Sequence, residues 1–256
     1  QFMTKLFIFS TFLLCVWSTV VQGFSTTAKT ALVIDNMTGE VLLSKDIHRP
    51  IPPASMSKLM TLWMVFESLD EGKLEMHDTF KVSRKAWKKG GSKMFLREGE
   101  SVKIEDLIKG IIIQSGNDAC IVLAEGLAGT EENFAELMTI RAKEIGLKNS
   151  NFKNSTGWPD PNHMMSSKDL VTLATKIREK YPSYYKIFND LEFTWDGITQ
   201  TNRNPLLSMN LGADGLKTGY TDEAGYGLIA SAKQHERRIT FVITGLTSVG
   251  QRAREA

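Results

Sequence analysis

Apolar residues recur every three or four positions in the segment that follows Pro52 and Pro53, which is the spacing of a helix with one buried face. The apolar positions of this segment are Leu59, Leu62, Trp63, Phe66 and Leu69. The two prolines stop any regular structure before them. The sequence therefore predicts a helix that opens at Ser55 and ends near Gly72.

Short apolar runs near the two ends of the chain predict two β-hairpins. The first hairpin joins residues 30–35 and 40–44 through a turn that contains Gly39. The second hairpin joins residues 225–232 and 238–244 through the polar residues between them. Both ends of the chain are therefore expected to contribute strands to a sheet.

Helical patterns dominate the middle of the chain. The predicted helices cover residues 102–114, 119–127 and 131–145, and another begins at Ser167. Polar residues 154–163 predict a loop, and residues 193–210 give no firm assignment. We therefore expect an α+β fold with a mainly antiparallel sheet formed by both termini and an inserted helical lobe.

The composition is that of a globular protein and gives no reason to expect a particular class of binding partner. The 256 residues include 31 basic and 29 acidic side chains, so the net charge of +2 gives no reason to expect nucleic-acid binding. One basic cluster, residues 84–89, is predicted to be a solvated exposed turn. The length suits one large domain or a domain with an inserted subdomain.

The first residues determine the expected compartment. Lys5 precedes an apolar run, residues 6–17, that is too short to span a bilayer comfortably, and a cleavage point follows Gly23. We expect residues 1–23 to be a secretory signal peptide that exports the protein to the periplasmic or extracytoplasmic face of the membrane. An uncleaved anchor is the alternative.

The cysteines and histidines predict neither a disulfide nor a metal site. Cys15 lies inside the leader and leaves Cys120 alone in the mature chain, where a small buried hydrophobe is the simplest interpretation. The four histidines are isolated from one another in ligand spacing: His48, His77, His163 and His235. We expect no metal and no cofactor. A surface position is expected for His163, and a place at the edge of the site is the alternative.

Ser55 and Lys58 are the first candidates for chemistry. Residues three apart on a helix are neighbours, so the lysine amine can reach the serine hydroxyl and activate it as a nucleophile. A helix cap followed by a solvated lysine is the alternative. The same spacing occurs at residues 150–153 and 183–186, but neither pair opens a helix with a clean apolar stripe.

Two later motifs make this signal specific. Ser115-Gly116-Asn117 follows a predicted helix, and Lys217-Thr218-Gly219, the only such triplet in the chain, precedes the terminal hairpin. Ser208-Met209-Asn210 matches the Ser115 pattern, but it lies too close to Lys217 to leave room for a helical lobe. The three motifs in this order predict an active-site serine.

The sequence resembles the penicillin-binding enzymes, whose motif set is shared with class A β-lactamases. Within that superfamily it is most similar to the low-molecular-mass D-alanyl-D-alanine carboxypeptidases, through residues 53–61, 115–119 and 214–221. The resemblance covers the chain from Thr26 onward and implies a β-lactamase/transpeptidase-like fold. Residues 24–256 are then expected to be the catalytic domain, without the C-terminal β domain and membrane-anchoring helix of many relatives.

The resemblance implies roles for the catalytic residues. Ser55 would attack the carbonyl between two terminal D-alanines and form an acyl-enzyme. Lys58 would take the serine proton as a neutral amine, with partial burial and the nearby Lys217 lowering its pKa. Ser115 would relay the proton to the leaving amine.

Substrate-binding roles are implied for seven residues: Asn117, Lys217, Thr218, Gly219, Tyr220, Thr221 and Arg252. Asn117 would hold the peptide amide, and Lys217 with Thr218 would face the terminal carboxylate. Gly219 would let the strand approach closely, and Thr221 would add a hydroxyl. The backbone amides of Ser55 and Tyr220 would form the oxyanion hole.

For several of these residues, a purely structural role is the alternative. Asn117 with Asp118 can cap a helix, Lys217 can be a solvated strand end, and Thr221 can be a turn residue. Arg252 competes with Arg254 for the role of an arginine after the last strand, and a surface position is its alternative. Tyr220 stands where some relatives carry histidine, which leaves the backbone role intact.

The implied activity is removal of the terminal D-alanine from peptidoglycan stem peptides, with β-lactam antibiotics as inhibitors. A β-lactamase would need a placed carboxylate for deacylation, and no glutamate stands in the expected motif after the Ser115 group. A D,D-endopeptidase uses the same residues and remains an alternative. Intact motifs argue against a non-catalytic peptidoglycan-binding protein. Membrane association is expected only through an uncleaved leader or a C-terminal anchor.

Overall fold

Strands from both ends of the chain form a single five-stranded antiparallel sheet in this computed structural model, which describes residues 25–256. The strands are β1 (Thr30–Asp35), β2 (Val41–Lys45), β3 (Thr79–Lys81), β4 (Ser101–Lys103), β5 (Glu192–Trp195), β6 (Ile198–Thr201), β7 (Ala213–Thr221), β8 (Gly225–Gln234) and β9 (Arg237–Leu246). The large sheet has the order β2-β1-β9-β8-β7. The predicted leader, residues 1–23, lies outside the described residues.

Helices occupy much of the chain between β2 and β7, and one more helix follows β9. They are α1 (Lys58–Asp70), α2 (Arg84–Lys88), α3 (Ile104–Ile112), α4 (Asn117–Ala128), α5 (Glu131–Glu144), α6 (Ser167–Lys180), α7 (Pro182–Tyr185) and α8 (Val249–Glu255). The α+β architecture, with a sheet from both termini and an inserted helical lobe, is therefore as the sequence predicts. Within residues 25–256, no helix combines the length and apolarity needed to cross a bilayer.

The pairing of β1 with β9 joins the two ends of the described chain. Ala31 lies opposite Ile243, and Leu32 lies opposite Val242. A buried hydroxyl cluster fixes α6 on this part of the sheet, since Thr30 Oγ1 lies 2.6 Å from Ser167 Oγ and 2.8 Å from Thr244 Oγ1. The N-terminal and C-terminal strands are therefore paired in one sheet, and α6 packs on that part of the sheet.

One continuous hydrophobic core runs from the sheet through α1 into the helical lobe. Phe66 on α1 is fully buried and contacts Tyr181, Tyr184 and Phe188, with ring centroids 5.1–6.5 Å apart. Burial of such a side chain stabilises the fold by roughly 1.5–3 kcal/mol. The helix that begins beside Ser55 is thus held along its whole length by the core.

The region between α1 and α3 contains more regular structure than the sequence predicts. Val102 pairs with Phe80 in the short β3–β4 ladder, so α3 begins at Ile104 instead of Val102. The basic cluster forms α2, whose N-cap Ser83 accepts a hydrogen bond from Ala86 N, and is not a simple turn. Strands of three residues are too short to show an alternating pattern.

A small hairpin occupies part of the stretch that had no assignment. Trp195 pairs with Ile198, and the two residues between them, Asp196 and Gly197, have φ of 47° and 77°. Two central residues with positive φ form the turn that Asp-Gly favours in hairpins. The Asp-Gly pair is therefore the sequence signal that predicts this hairpin.

Candidate active site

Ser55 lies in a 3-10 turn, Ala54–Ser57, that leads directly into α1. Ser57 Oγ donates to Ala54 O at 3.1 Å and tightens this turn. Ser55 makes no side-chain cap; its Oγ lies 2.8 Å from Lys58 Nζ. The geometry is that of a hydroxyl beside an amine and not that of a helix cap.

Lys58 is fully buried and has three polar partners. Besides Ser55 Oγ, its Nζ lies 2.8 Å from Asn117 Oδ1 and 2.6 Å from Thr156 O. A neutral amine has two hydrogens and one lone pair. The two carbonyl oxygens can only accept, so they take both hydrogens and leave the lone pair for the hydroxyl hydrogen of Ser55.

Burial is the main cause that lowers the pKa of Lys58, to about 8. The positive charges of Arg203 and Lys89 lower it further, while Lys217, which the sequence pointed to, is not among its main causes. At pH 7, about a tenth of an amine with such a pKa is neutral, against well under a thousandth for an ordinary lysine. Lys58 is thus suited to accept a proton near neutral pH.

Asn117 is held in one orientation by the protein itself. Its Nδ2 donates to Gly90 O at 2.8 Å, so its Oδ1 must face Lys58. One N–H of the carboxamide remains for a ligand. Asn117 is the first residue of α4, whose N-cap is Gly116, so the predicted cap at Asn117 and Asp118 is one residue late.

Asp118 fixes the opposite wall, and its Oδ1 also accepts from Ala119 N at 3.0 Å in the first turn of α4. Its buried carboxylate accepts hydrogen bonds from Met94 N, Phe95 N and Leu96 N at 2.9–3.2 Å. This anchor holds the segment that contains Gly91, where a Cβ would lie 2.8 Å from Asn117 Nδ2. The 90–96 segment therefore lies close over Asn117.

Ser115 lies between α3 and α4 with φ of 59°, a conformation that a residue with a side chain rarely adopts. Its Oγ is buried and makes no hydrogen bond. It lines the same cavity as Ser55. A strained residue that presents an unpaired hydroxyl to a cavity is the arrangement expected of a functional group.

The Lys217 motif lies on β7, the edge strand next to the Ser55 turn. A Cβ on Gly219 would lie 3.0 Å from Pro53 O, so this position requires glycine for the close approach that the sequence predicts. Lys217 is 2% exposed, and its Nζ donates to Thr218 O at 3.3 Å. Burial, followed by the charge of Lys58, lowers the pKa of Lys217 well below its usual value.

The remaining predicted residues lie at the rim. Tyr220 is half exposed, stacks on Tyr226 and donates to Asp222 Oδ1 at 2.7 Å. Thr221 Oγ1 accepts from Ala224 N at 3.0 Å, as a turn residue does. Arg252, in α8, is 6% exposed and lies over the Tyr226 ring, whereas Arg254 is exposed.

Two cavities meet at Ser55. One, of about 230 Å³, is basic and is lined by Ser55, Ser92, Ser115, Arg203, Thr218 and Arg252, among others. The other, of about 370 Å³, is lined by residues that include Ser55, Asn117, Trp158, Tyr220, Thr221 and Asp222. A hydroxyl at the junction of a basic cavity and a second, larger cavity suits attack on a chain that ends in an anion.

Two elements of the site were missed by the sequence-based prediction. Arg203 follows the β5–β6 hairpin and donates to Ser92 Oγ at 2.6 Å at the edge of the basic cavity. Arg203 lies in residues 193–210, for which the sequence predicts no secondary structure, so no pattern indicated a role for it. The second element is the carbonyl oxygen of Thr156. Every residue has a backbone carbonyl, so no residue type in the sequence indicates it.

Cys120 and His163 play no visible part in this chemistry. Cys120 is fully buried, as predicted, and burial raises the pKa of its thiol to about 12. His163 is 1% exposed and not at the surface as predicted, because its Nδ1 accepts from Lys153 N inside the 151–165 loop. Within residues 25–256, no cluster of three or more potential metal ligands occurs.

Comparison with known sequences gives one consistent family. D-alanyl-D-alanine carboxypeptidase DacF of Bacillus subtilis is 41% identical over 234 residues, and DacD of Escherichia coli is 39% identical over 232 residues. These alignments cover 88% of this chain but 59% and 60% of the two relatives. The chain therefore spans about three fifths of the length of these relatives.

Solved structures show the same fold. Penicillin binding protein 5 from Haemophilus influenzae superposes with a TM-score of 0.89 at 36% identity, over 92% of this chain and 70% of that one. DacD from Francisella tularensis gives a TM-score of 0.89 at 30% identity, over 91% and 69%. Residues 18–248 match the family of peptidases described as D-alanyl-D-alanine carboxypeptidase. With fold, motifs and sequence in agreement, the chain belongs to the S11 family of D-alanyl-D-alanine carboxypeptidases.

Proposed function

We propose that residues 24–256 act as the catalytic domain of a serine D-Ala-D-Ala carboxypeptidase. Its substrate is a peptidoglycan stem peptide, from which it removes the terminal D-alanine. The observation that carries this proposal is the buried Lys58 amine, whose two carbonyl partners leave only Ser55 Oγ for its lone pair. Three relatives at 39–41% identity carry the name D-alanyl-D-alanine carboxypeptidase, which supports the same activity.

Acylation begins when Ser55 Oγ attacks the carbonyl carbon between the two D-alanines. As the O–C bond forms, the serine proton moves to Lys58 Nζ, and backbone amides at Ser55 and Tyr220 hold the oxyanion. The C–N bond then breaks, and the proton passes from Lys58 through Ser115 to the amine of the leaving D-alanine. Water attacks the resulting ester, again with Lys58 as the base, and frees Ser55.

The basic cavity is suited to the terminal carboxylate of the substrate. Arg252 and Arg203 contribute fixed charge to its wall, and Thr218 contributes a hydroxyl. Lys217 has no anionic partner among the described residues, and its pKa is lowered mainly by burial. A bound carboxylate supplies the opposite charge and raises that pKa, which favours the charged form of Lys217.

The same steps account for inhibition by β-lactams. Ser55 opens the lactam ring by the same attack, but the leaving nitrogen stays tethered to the acyl group and blocks the approach of water. Glu131, the buried glutamate nearest in sequence to the Ser115 group, is engaged by Ser155 and Lys85. It is therefore not available to activate a deacylating water, which favours a carboxypeptidase over a β-lactamase.

The proposed function also requires export of the protein across the cytoplasmic membrane. Stem peptides lie outside the cytoplasmic membrane, and residues 1–23 have the basic start and apolar centre of a secretory leader. We propose that the mature domain begins near residue 24 and works at the periplasmic or extracytoplasmic face. The leader is tested by N-terminal sequencing of the exported protein, where an N-terminus near residue 24 is expected.

Labelled penicillin provides the direct test of the function. Purified protein is incubated with the antibiotic, and the peptide that contains Ser55 is examined by mass spectrometry for a covalent adduct. Release of D-alanine from a peptide ending in D-Ala-D-Ala is measured in parallel. An adduct on Ser55 together with D-alanine release is expected. Rapid antibiotic turnover without peptide cleavage would identify a β-lactamase, and a folded protein with no adduct would identify a binding protein.

A further inference from the structure

Glu131 is a buried carboxylate outside the three motifs. It is the first residue of α5, follows the N-cap Thr130, and is only 5% exposed. An acidic residue in the first turn of a helix usually faces solvent near the positive end of the dipole. Here the side chain points inward, and its two oxygens bind two different segments of the site.

The first oxygen holds the loop over residues 154–158. Glu131 Oε1 accepts from Ser155 N at 3.1 Å and from Ser155 Oγ at 2.8 Å. The carbonyl of the next residue, Thr156, receives the 2.6 Å hydrogen bond from Lys58. The carboxylate therefore fixes the residue that directly precedes one of the two acceptors of the amine.

The second oxygen holds α2. Glu131 Oε2 lies 3.0 Å from Lys85 Nζ. The chain leaves α2 one turn later and reaches Gly90, whose carbonyl orients the side chain of Asn117. Asn117 Oδ1 is the other acceptor of the Lys58 amine. Both acceptors thus belong to, or are oriented by, segments that one buried carboxylate joins.

The two segments also touch at the surface, where Lys89 Nζ lies 4.2 Å from the centre of the Trp158 ring. That contact is at the rim, because Trp158 is 43% exposed. Glu131, which is 5% exposed, is shielded from solvent. The Ser155 side of the tie is therefore buried, whereas the Lys85 side chain that completes it on α2 is 42% exposed.

We propose that Glu131 is a positioning residue for acylation: by joining the 154–158 loop to α2, it sets the two carbonyl acceptors of Lys58 and so directs the amine lone pair at Ser55. It touches neither Ser55 nor the substrate. This proposal rests on the proposed function, since it gives Lys58 the role of base. A displacement of either acceptor would let the lone pair turn away from the serine.

The test measures the acylation rate constant with a fluorescent penicillin, separately from the fraction of protein that becomes labelled. In Glu131→Ala, both ties are lost, and the rate constant is expected to fall by about 10- to 100-fold, as for a misplaced catalytic group. In Glu131→Gln, the amide oxygen still accepts from Ser155, and Lys85 keeps its 2.7 Å contact with Glu132. That variant is expected to stay within about threefold of the wild type.

Asp35→Ala is the matched control. Asp35 is also a buried acid, 4% exposed, which accepts from Met37 N and binds Arg237, but it lies at the end of β1 away from Lys58. Its loss is expected to lower the thermal unfolding temperature and the labelled fraction while the rate constant is unchanged. A Glu131→Ala protein with the same behaviour would show a purely structural role and overturn the proposal.

Two further outcomes keep the test decisive. If Glu131→Ala does not fold, Ser155→Ala removes the 2.8 Å contact alone and is expected to lower the rate constant several-fold, whereas a wild-type value in that variant overturns the proposal. If the wild-type protein itself forms no adduct, the proposed function fails, and the positioning role falls with it. The two failures are therefore distinguishable.

Discussion

Gly157 lies directly against the carbonyl oxygen of Ala54, so close that a Cβ at residue 157 would be 2.0 Å from that oxygen and 2.8 Å from Ser57 Oγ. The loop that supplies the Thr156 carbonyl therefore rests on the turn that carries Ser55. The Ser-Lys pair and its carbonyl acceptor are thus built as one unit, and a single methyl group is sufficient to separate them.

Gly157→Ala is expected to disrupt this unit. The new methyl group meets backbone that cannot move aside, and the φ of 80° disfavours any side chain, so we expect a loss of about 3 kcal/mol or more in the free energy of unfolding. Penicillin acylation should fall at least tenfold. Gly39→Ala is the control, since φ is 75° there but no atom lies within 4 Å of the added Cβ. Equal acylation rates in the two variants would contradict the prediction.

The pH dependence of acylation follows from Lys58. The neutral amine is the base, and burial lowers its pKa to about 8. The rate constant for penicillin acylation is therefore expected to rise about tenfold per pH unit from pH 6 to 7.5 and to level off above 8. Stopped-flow measurements across this range check the profile. A rate that is flat or falls with increasing pH would exclude Lys58 as the base.

Arg252 is expected to bind the substrate carboxylate, and Arg254 on the same helix is not. A charge-assisted hydrogen bond contributes roughly 1.5–3 kcal/mol, so Arg252→Ala should raise KM for a peptide ending in D-Ala-D-Ala by about 10- to 100-fold. Arg254→Ala, at an exposed position, should leave KM unchanged. A peptide with an amidated C-terminus should bind both variants alike. Equal KM values for the acid peptide in the two variants would remove Arg252 from the site.

Ser115 and Ser208 provide a second matched pair, because each opens a Ser-x-Asn triplet. Ser115 Oγ is buried without a partner in the cavity, whereas Ser208 is exposed at the end of a 3-10 turn. Ser115→Ala should lower kcat for D-alanine release by about 10²- to 10⁴-fold, as expected for loss of a proton relay. Its unfolding temperature should stay near that of the wild type, since no hydrogen bond is removed. Ser208→Ala should be fully active, and a similar loss in both variants would contradict the assignment.

The parts of the site that could be predicted from sequence are those encoded by local spacing. Ser55 and Lys58 lie three residues apart where a 3-10 turn leads into α1, so their contact follows from local spacing. The prediction that α1 has one buried face was wrong, because α1 is buried on nearly all sides, including Met60, Thr61 and Val65. Gly219 is predictable for a similar reason, because only glycine tolerates the approach of the strand to Pro53. Motif order then indicated the family, although no distance could be inferred from it.

The parts that could not be predicted depend on tertiary structure. The carbonyl of Thr156 reaches Lys58 because tertiary contacts hold its loop in place. Ser155 binds Glu131 and Thr61 through hydrogen bonds, and Gly157 packs against Ala54. A backbone acceptor has no side-chain pattern, and a glutamate at a helix start looks like an ordinary surface acid. The pKa of Lys58 likewise depends mainly on burial. The pattern of apolar and polar residues does not show that a single lysine is buried.

The pairing of β1 with β9 has a consequence for the time at which the enzyme becomes reactive. Since β1 lies between β2 and β9, the first strand waits for residues near the end of the described chain before it gains its second neighbour. Contacts between distant parts of a chain are slow to form, because closing a long loop costs entropy. The strand that carries Lys217 joins the same sheet through β8, so a growing chain contains Ser55 long before it contains a finished cleft. Ser55 is therefore expected to remain unreactive towards penicillin until β7, β8 and β9 have been synthesised and have paired.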